Sequence, residues 1–307
     1  HDDHTQDQDT RSYATWVTEA VEDMVKSTTQ DEVDPCQCRT YRCIHKACLE
    51  DFKKIHDAVL KHWIQNPEDL TCLRLCSMLP RLLLRATDRG GTAAAKDTRT
   101  RCKKFWEKRL SESWEIPDAE KLQAPPPHSE ASTIAIGEFL TRQGELGKAV
   151  SRMCGSGLAS IIPGSEKEDL LRSKFPQSAP PTFDLTQAEA VEFQDFRARW
   201  CISTLDKHSA ADQWGYYNEH WQTLTDHDPE ETILADLIPL FLNTLLPQDT
   251  RQQVNGTKGV ALTKKIVDLR PIGMTNKLRL LCTSYSNSLH TRKLKTKEGV
   301  TVTNGAL

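Results

Sequence analysis

The sequence predicts a mainly α fold, a multi-helical domain with a small C-terminal β-hairpin. Three observations carry that reading. Apolar residues recur at helical spacing through most of the chain. Ser165-x-x-Glu168, Thr186-x-x-Glu189 and Asp228-Pro229-x-Glu231 are helix-start signatures, each placing an acid in the first turn behind an N-cap side chain. Only residues 259–274 (GVALTKKIVDLRPIGM) read strongly as strand, with two apolar runs on either side of a lysine pair.

Residues 1–10 are polar and acidic, with nothing apolar to bury, so they are expected to be disordered. Residues 12–26 space Trp16, Ala20 and Met24 as a helix would. Residues 47–64 align Leu49, Phe52, Ile55, Val59 and Trp63 on one face. Asn66-Pro67 then punctuates the chain before a leucine-rich helix over 68–86, which Pro80 is expected to kink or split. A basic helix is expected over 97–113, and residues 114–132 form a proline-rich linker. Helix resumes over 134–154 with an interruption at Gly144. Further helices are expected at 166–174, 187–205 and 229–245, with a shorter one at 216–224 that turns Trp221 inward. The divisions that follow are 1–46 (a disordered acidic start with one helix and a cysteine-rich segment), 47–113 (helical domain), 114–132 (linker), 133–255 (helical region) and 256–307 (hairpin segment).

The 307 residues suffice for one large or two ordinary domains. No apolar run approaches the ~20 residues of a membrane span, and the acidic N-terminus lacks the basic and apolar regions of a signal peptide. No membrane partner is therefore expected, and the setting is read as intracellular, nuclear or cytoplasmic. Its ten cysteines are accordingly read as reduced. The start at His1 and the end at Leu307 read as cut edges, which suggests a fragment. The net charge of −3 conceals segregation: residues 1–34 carry −8, whereas residues 251–297 carry eleven bases against Asp268 alone. A partner senses local potential within a Debye length of ~10 Å, so the last block is a candidate nucleic-acid surface or a solvated basic face.

Cys36, Cys38, Cys43, His45 and Cys48 offer up to five soft ligands where zinc needs four. Their spacing matches no common zinc motif, so a zinc site and ordinary reduced thiols both stand as readings. Cys72 and Cys76, at i,i+4 on a leucine-rich helix, read as core. The carboxylates of 219–236 fit a helix start and solvated acids better than a metal cluster. No phosphate-binding glycine loop, dinucleotide fingerprint or nucleophile elbow occurs. Residues 99–109 interleave Phe105 and Trp106 with cations, either to stack single strands or as the buried stripe of a helix. In the hairpin, Lys264 and Lys265 lie near the tip, and Pro271 biases Arg270 toward extended backbone. A guanidinium there can bind phosphate oxygens in bidentate fashion.

Four segments, in order, resemble the reverse-transcriptase-like proteins of non-LTR (LINE-type) retroelements, over the region leading into the polymerase fingers. PEDLTCLRLCSMLPRLLLRATDRGG is similar to that family's helix ending in L-P-R-x-x-L-R-x-x-x-R-G-G. GELGKAVSRMCGSGLA resembles its short helix with a small-residue turn, and SAADQWGYYNEHW its S-A-P-G-P-D-G-x-R-x-E-H-L element. LIPLFLNTLLPQDTRQQVNGTKGVALTKKIVDLRPIGM resembles the helix, L-P turn and fingers hairpin. Together these span about residues 45–280.

The resemblance implies RNA-templated nucleotide polymerisation. It assigns Arg270 to the arginine of R-P-I, at the incoming triphosphate, and Lys264 or Lys265 to the fingers lysine beside it. It also implies RNA or DNA and the rest of a polymerase polypeptide as partners. Departures accompany it: Ala211, Asp212 and Trp214 replace the usual turn residues, and Ile266-Val267-Asp268 replaces a Gly-Gly. GVTVTNGAL resembles the glycine-rich block before the palm but follows R-P-I sooner than the family pattern. The palm aspartates are absent, so no catalytic residue is assigned, Mg²⁺ is expected only with the palm, and the chain alone is expected to be inactive. The alternative is a helical scaffold or protein-interaction module with no nucleic-acid role.

Overall fold

A computed structural model describes residues 15, 17–19, 38–87, 91–107, 130–142, 144, 146–154, 164–174, 190–207, 209–227, 232–243, 246–265 and 268–298. The fold is mainly helical. In chain order the elements are α1 (Lys46–Gln65), α2 (Leu70–Leu83), α3 (Gly91–Trp106), α4 (Glu130–Arg142), α5 (Leu146–Cys154) and α6 (Glu166–Ser173). They continue with α7 (Asp195–Ser203), α8 (Asn218–Asp226), α9 (Thr232–Leu242), α10 (Gln248–Asn255), β1 (Thr257–Lys265), β2 (Asp268–Thr275) and α11 (Lys277–Glu298). Strands β1 and β2 pair in a two-stranded sheet. Two linking residues cannot carry a parallel crossover, so the pair is an antiparallel hairpin. No helix among the described residues is long and apolar enough to cross a membrane.

The chain divides into two compact units that cut across the sequence divisions. One joins His1–Lys121, Ala188–Gly256 and Thr275–Leu307; the other joins Leu122–Gln187 with Thr257–Met274. In the first unit, α1 packs on α2, α3 and α9, while α7 packs on α8 and α11. The predicted face of α1 is the core face: Phe52, Ile55, Val59 and Trp63 are fully buried. Each such side chain contributes roughly 1.5–3 kcal/mol through burial. In the second unit, α4 packs on α5. The break between them is at the predicted place, with Gly144 at φ 77°.

Several elements depart from expectation. Pro80 does not split α2, which runs unbroken through it. A proline removes the donor that the carbonyl four residues back would receive. Here that carbonyl, Cys76 O, accepts a long 3.5 Å hydrogen bond from the buried Tyr216 hydroxyl instead. Helix α3 starts at Gly91, six residues before the expected point, because Thr92–Ala95 supplies three alanines to its first turn. Helix α7 starts only at Asp195. Side chains from elsewhere hold the residues before it extended: Val191 N donates to Asn243 Oδ1 (2.7 Å), and Gln194 N to the Tyr285 hydroxyl (2.7 Å). That hydroxyl donates onward to Glu192 O (3.0 Å).

Helices α10 and α11 are additions to the predicted set. At α6 neither half of the predicted capping box forms as expected. Glu168 reaches back to accept from Gly164 N (2.7 Å), and Ser165 makes no side-chain cap. The predicted linker ends early, because its last three residues, 130–132, already belong to α4. The Thr186-x-x-Glu189 and Asp228-Pro229-x-Glu231 signatures, residues 114–129 and residues 299–307 lie outside the described residues, as do residues 1–10 and most of 12–26.

Candidate nucleic-acid interface

The three cations assigned from sequence lie on the strand pair. Lys264 and Lys265 end β1, and Arg270 is the third residue of β2, so the backbone gathers all three at the linked end of the hairpin. Their side chains, and the link at 266–267, lie outside the described residues.

Both flanks of the hairpin in sequence are anchored within the helical unit by one loop, residues 212–216. Asp212 Oδ1 accepts from Trp214 N and Tyr216 N (2.9 Å each), and its Oδ2 accepts from Lys277 N (2.8 Å), the first residue of α11. Gln213 Nε2 donates to Gly256 O (3.0 Å), immediately before β1. Arg279 then links the two flanks directly, donating to Asn255 O (3.1 Å). Asn276 opens α11, its side chain accepting from Leu278 N (2.8 Å).

The same loop is tied to the rest of the core. Thr40 Oγ1 donates to Gly215 O (2.7 Å), and the buried Arg81 donates to Cys38 O (2.7 Å) and Gln213 O (3.0 Å). Gly215 has φ 89°, the left-handed region. A Cβ there would meet Arg81 Cγ at 2.9 Å and Thr40 Cγ2 at 3.0 Å. Residues 212–216 therefore form a tight turn built around the Asp212 carboxylate. Burial pushes the Asp212 pKa up, against the pull of the three N–H donors and Lys277.

His220, at the start of α8, completes the anchoring. Its Nε2 bonds Tyr41 O (2.7 Å) and its Nδ1 accepts from Tyr217 N (3.4 Å), a pattern that fits the neutral Nε2–H tautomer. Burial pulls its pKa down to about 4 from 6.5. Below pH 6.5 the unfolded chain binds more protons than the folded one. Stability is thus whole above pH 6.5 and falls by about 3 kcal/mol as pH drops toward 4. Thermal melts from pH 7.5 to 4.5 should show this, and His220→Gln should flatten the profile. An identical acid dependence in the variant would remove His220 as its source.

The basic segment at 99–109 resolves mostly toward the structural reading. Phe105 is buried, Trp106 is half-buried and edge-on to it at 5.4 Å, and Arg101 turns inward to Leu83 O and Arg85 O. Lys96, Arg99, Lys103 and Trp106 line an open groove of about 890 Å³. Arg99 is paired with Asp51 (3.1 Å) and Lys103 with Glu107 (3.5 Å). That surface is less cationic than the sequence suggests.

The cysteine-rich segment does not assemble its five ligands. Cys36 lies outside the described residues. Cys38 is buried, Cys43 exposed, and His45 uses Nδ1 to cap α1 by accepting from Ala47 N (3.1 Å). Cys48 is in the core, its thiol donating to His45 O (3.2 Å). Among the described residues these side chains form no group close enough to share an ion. Burial pushes the pKa values of Cys43, Cys48, Cys76, Cys102, Cys201 and Cys282 upward, away from the thiolate a nucleophile needs.

No protein-family model matches the chain, and no similarity is found to curated proteins or to solved structures. The assignment of Lys264, Lys265 and Arg270 therefore rests on the residues themselves and on their order along the chain.

Proposed function

We propose that this chain is the N-terminal and fingers-proximal part of a retroelement RNA-directed DNA polymerase. In this reading it binds template RNA and the phosphates of the incoming nucleotide, while joining nucleotides falls to Mg²⁺-holding palm aspartates that it does not carry. One observation supports this above the others: Lys264, Lys265 and Arg270 gather at the linked end of a strand pair whose two flanks are both anchored by the 212–216 loop. Cations brought together along a hairpin backbone suit a phosphate ligand, and a guanidinium can hold its oxygens in bidentate fashion. A second reading, a protein-interaction module, draws on the exposed Phe139, Leu146, Val150 and Met153 of α4 and α5.

The test is filter binding of labelled single-stranded RNA to the full chain across salt. Three phosphate contacts predict a log–log slope of about −2 for a single strand. Absence of affinity at 50 mM salt, or a flat salt dependence, would reject the polymerase reading and favour the interaction module.

A further inference from the structure

We propose that the closed end of the α1–α2 hairpin is a site for a zinc-class divalent metal, with His62, Asp69 and Cys72 as ligands and water in the fourth position. One ligand atom from each of the three lies within 4.8 Å of the others. This set shares no residue with the cysteine-rich segment, and it does not depend on the polymerase reading.

Two geometric features separate the cluster from chance proximity. The first is the placement of Asp69. Its Oδ1 caps α2 by accepting from Thr71 N and Cys72 N (2.9 Å each). This fixes the carboxylate and leaves Oδ2 facing His62 Nε2 at 3.9 Å. That gap exceeds a hydrogen bond of about 2.7–3.2 Å. It is close to the roughly 3.3 Å between two ligands of a tetrahedral zinc with bonds of about 2.0–2.1 Å. The second feature is a turn locked in place. Asn66 N donates to His62 O (3.0 Å) and Trp63 O (3.1 Å), and Asn66 Nδ2 also reaches His62 O (3.0 Å). Asp69 N donates to Asn66 O (2.9 Å), and Thr250 Oγ1 to Pro67 O (2.6 Å). The backbone on both sides of the site is thus positioned without the metal.

The donor set selects the ion. An imidazole nitrogen, a carboxylate oxygen and a thiolate sulfur suit zinc or cobalt, whereas calcium and magnesium demand oxygen ligands. Binding releases one proton: Zn²⁺ and the Cys72 thiol become the zinc thiolate and H⁺, while neutral His62 gives its lone pair. Asp69 and the Cys72 thiolate together neutralise the dication, so the site adds no net charge at the core's edge. The thiol is held only weakly, since Cys72 Sγ approaches Val59 O at 3.6 Å. Cys76 Sγ reaches the same carbonyl at 3.8 Å and keeps it partnered when Cys72 turns to the metal.

The full chain, reduced and stripped of metal, is titrated with Zn²⁺ and separately with Co²⁺. One equivalent should bind, Co²⁺ should produce a thiolate charge-transfer band, and Zn²⁺ should raise the melting temperature. Asp69→Asn, which keeps the helix cap, and His62→Asn, near the surface, should each weaken binding more than about tenfold. Cys72→Ser should abolish the charge-transfer band, while Cys43→Ser should change nothing. Binding of less than half an equivalent would overturn the proposal. So would loss of metal in Cys43→Ser with retention in His62→Asn, which would move the ion to the cysteine-rich segment.

Discussion

Replacing Asp212 by alanine should destabilise the chain by about 3–5 kcal/mol. The carboxylate accepts three backbone N–H groups, from Trp214, Tyr216 and Lys277, and is 3% exposed. Removing it leaves buried donors without an acceptor, each costing about 1–3 kcal/mol. Total stabilities are about 5–15 kcal/mol, so the variant is expected near the edge of folding. Asn offers an oxygen to Trp214 and Tyr216 but turns an N–H₂ toward Lys277 N, so Asp212→Asn should recover only part of the loss. Urea unfolding of the three proteins measures this, and a loss below about 1 kcal/mol for alanine would mean that water reaches those donors.

The consequence extends along the chain, because one loop holds elements far apart in sequence. Thr40, Arg81, Gly256 and Lys277 all bond residues 212–215. The network is therefore non-local, and this explains what the sequence could and could not reveal. Helix α1 is legible because its signal is internal: Leu49, Phe52, Ile55, Val59 and Trp63 repeat along one face and all turn into the core. The hairpin is legible for the same reason. Pro80 misleads because the donor that excuses it, the Tyr216 hydroxyl, is 136 residues away from it in sequence. The late start of α7 is equally non-local, set by Asn243 and Tyr285.

Helix α11 is a different kind of miss. Leu278, Leu281, Cys282 and Tyr285 are buried at helical spacing, and Asn276 marks the start. Eleven bases across 251–297 mask that pattern in the sequence, because they give the segment the character of a charged surface. In the sequence, Asp212 stands out only as a departure from the turn residues of the family it resembles. An aspartate three residues before a glycine is itself a turn signature, since its side chain can accept from the backbone two residues on. The cations of the hairpin were legible as residues, and the strand pairing places them together. What the sequence lacked was any sign that the two flanks of that hairpin share an anchor.

That anchor bears on the sharpest test of function. Converting Lys264, Lys265 and Arg270 together to alanine should weaken RNA binding by about tenfold to a hundredfold at low salt and reduce the salt slope by about 2. The reasoning is electrostatic: each cation that neutralises a phosphate releases a counterion, so losing three contacts lowers both affinity and its dependence on salt. Fold stability should barely change, because the anchoring bonds run through Gly256, Asp212 and Lys277 rather than through these side chains. The variant thereby separates binding from folding, which Asp212→Ala does not. If binding weakens while the slope stays as in the unmodified chain, the three cations act through shape rather than phosphate contact. If neither changes, the hairpin is not the RNA surface, and the basic residues of α11 or of the α3 groove become the place to look. Restoring Arg270 alone in the triple variant measures its share, since a bidentate guanidinium should return more affinity than either lysine restored alone.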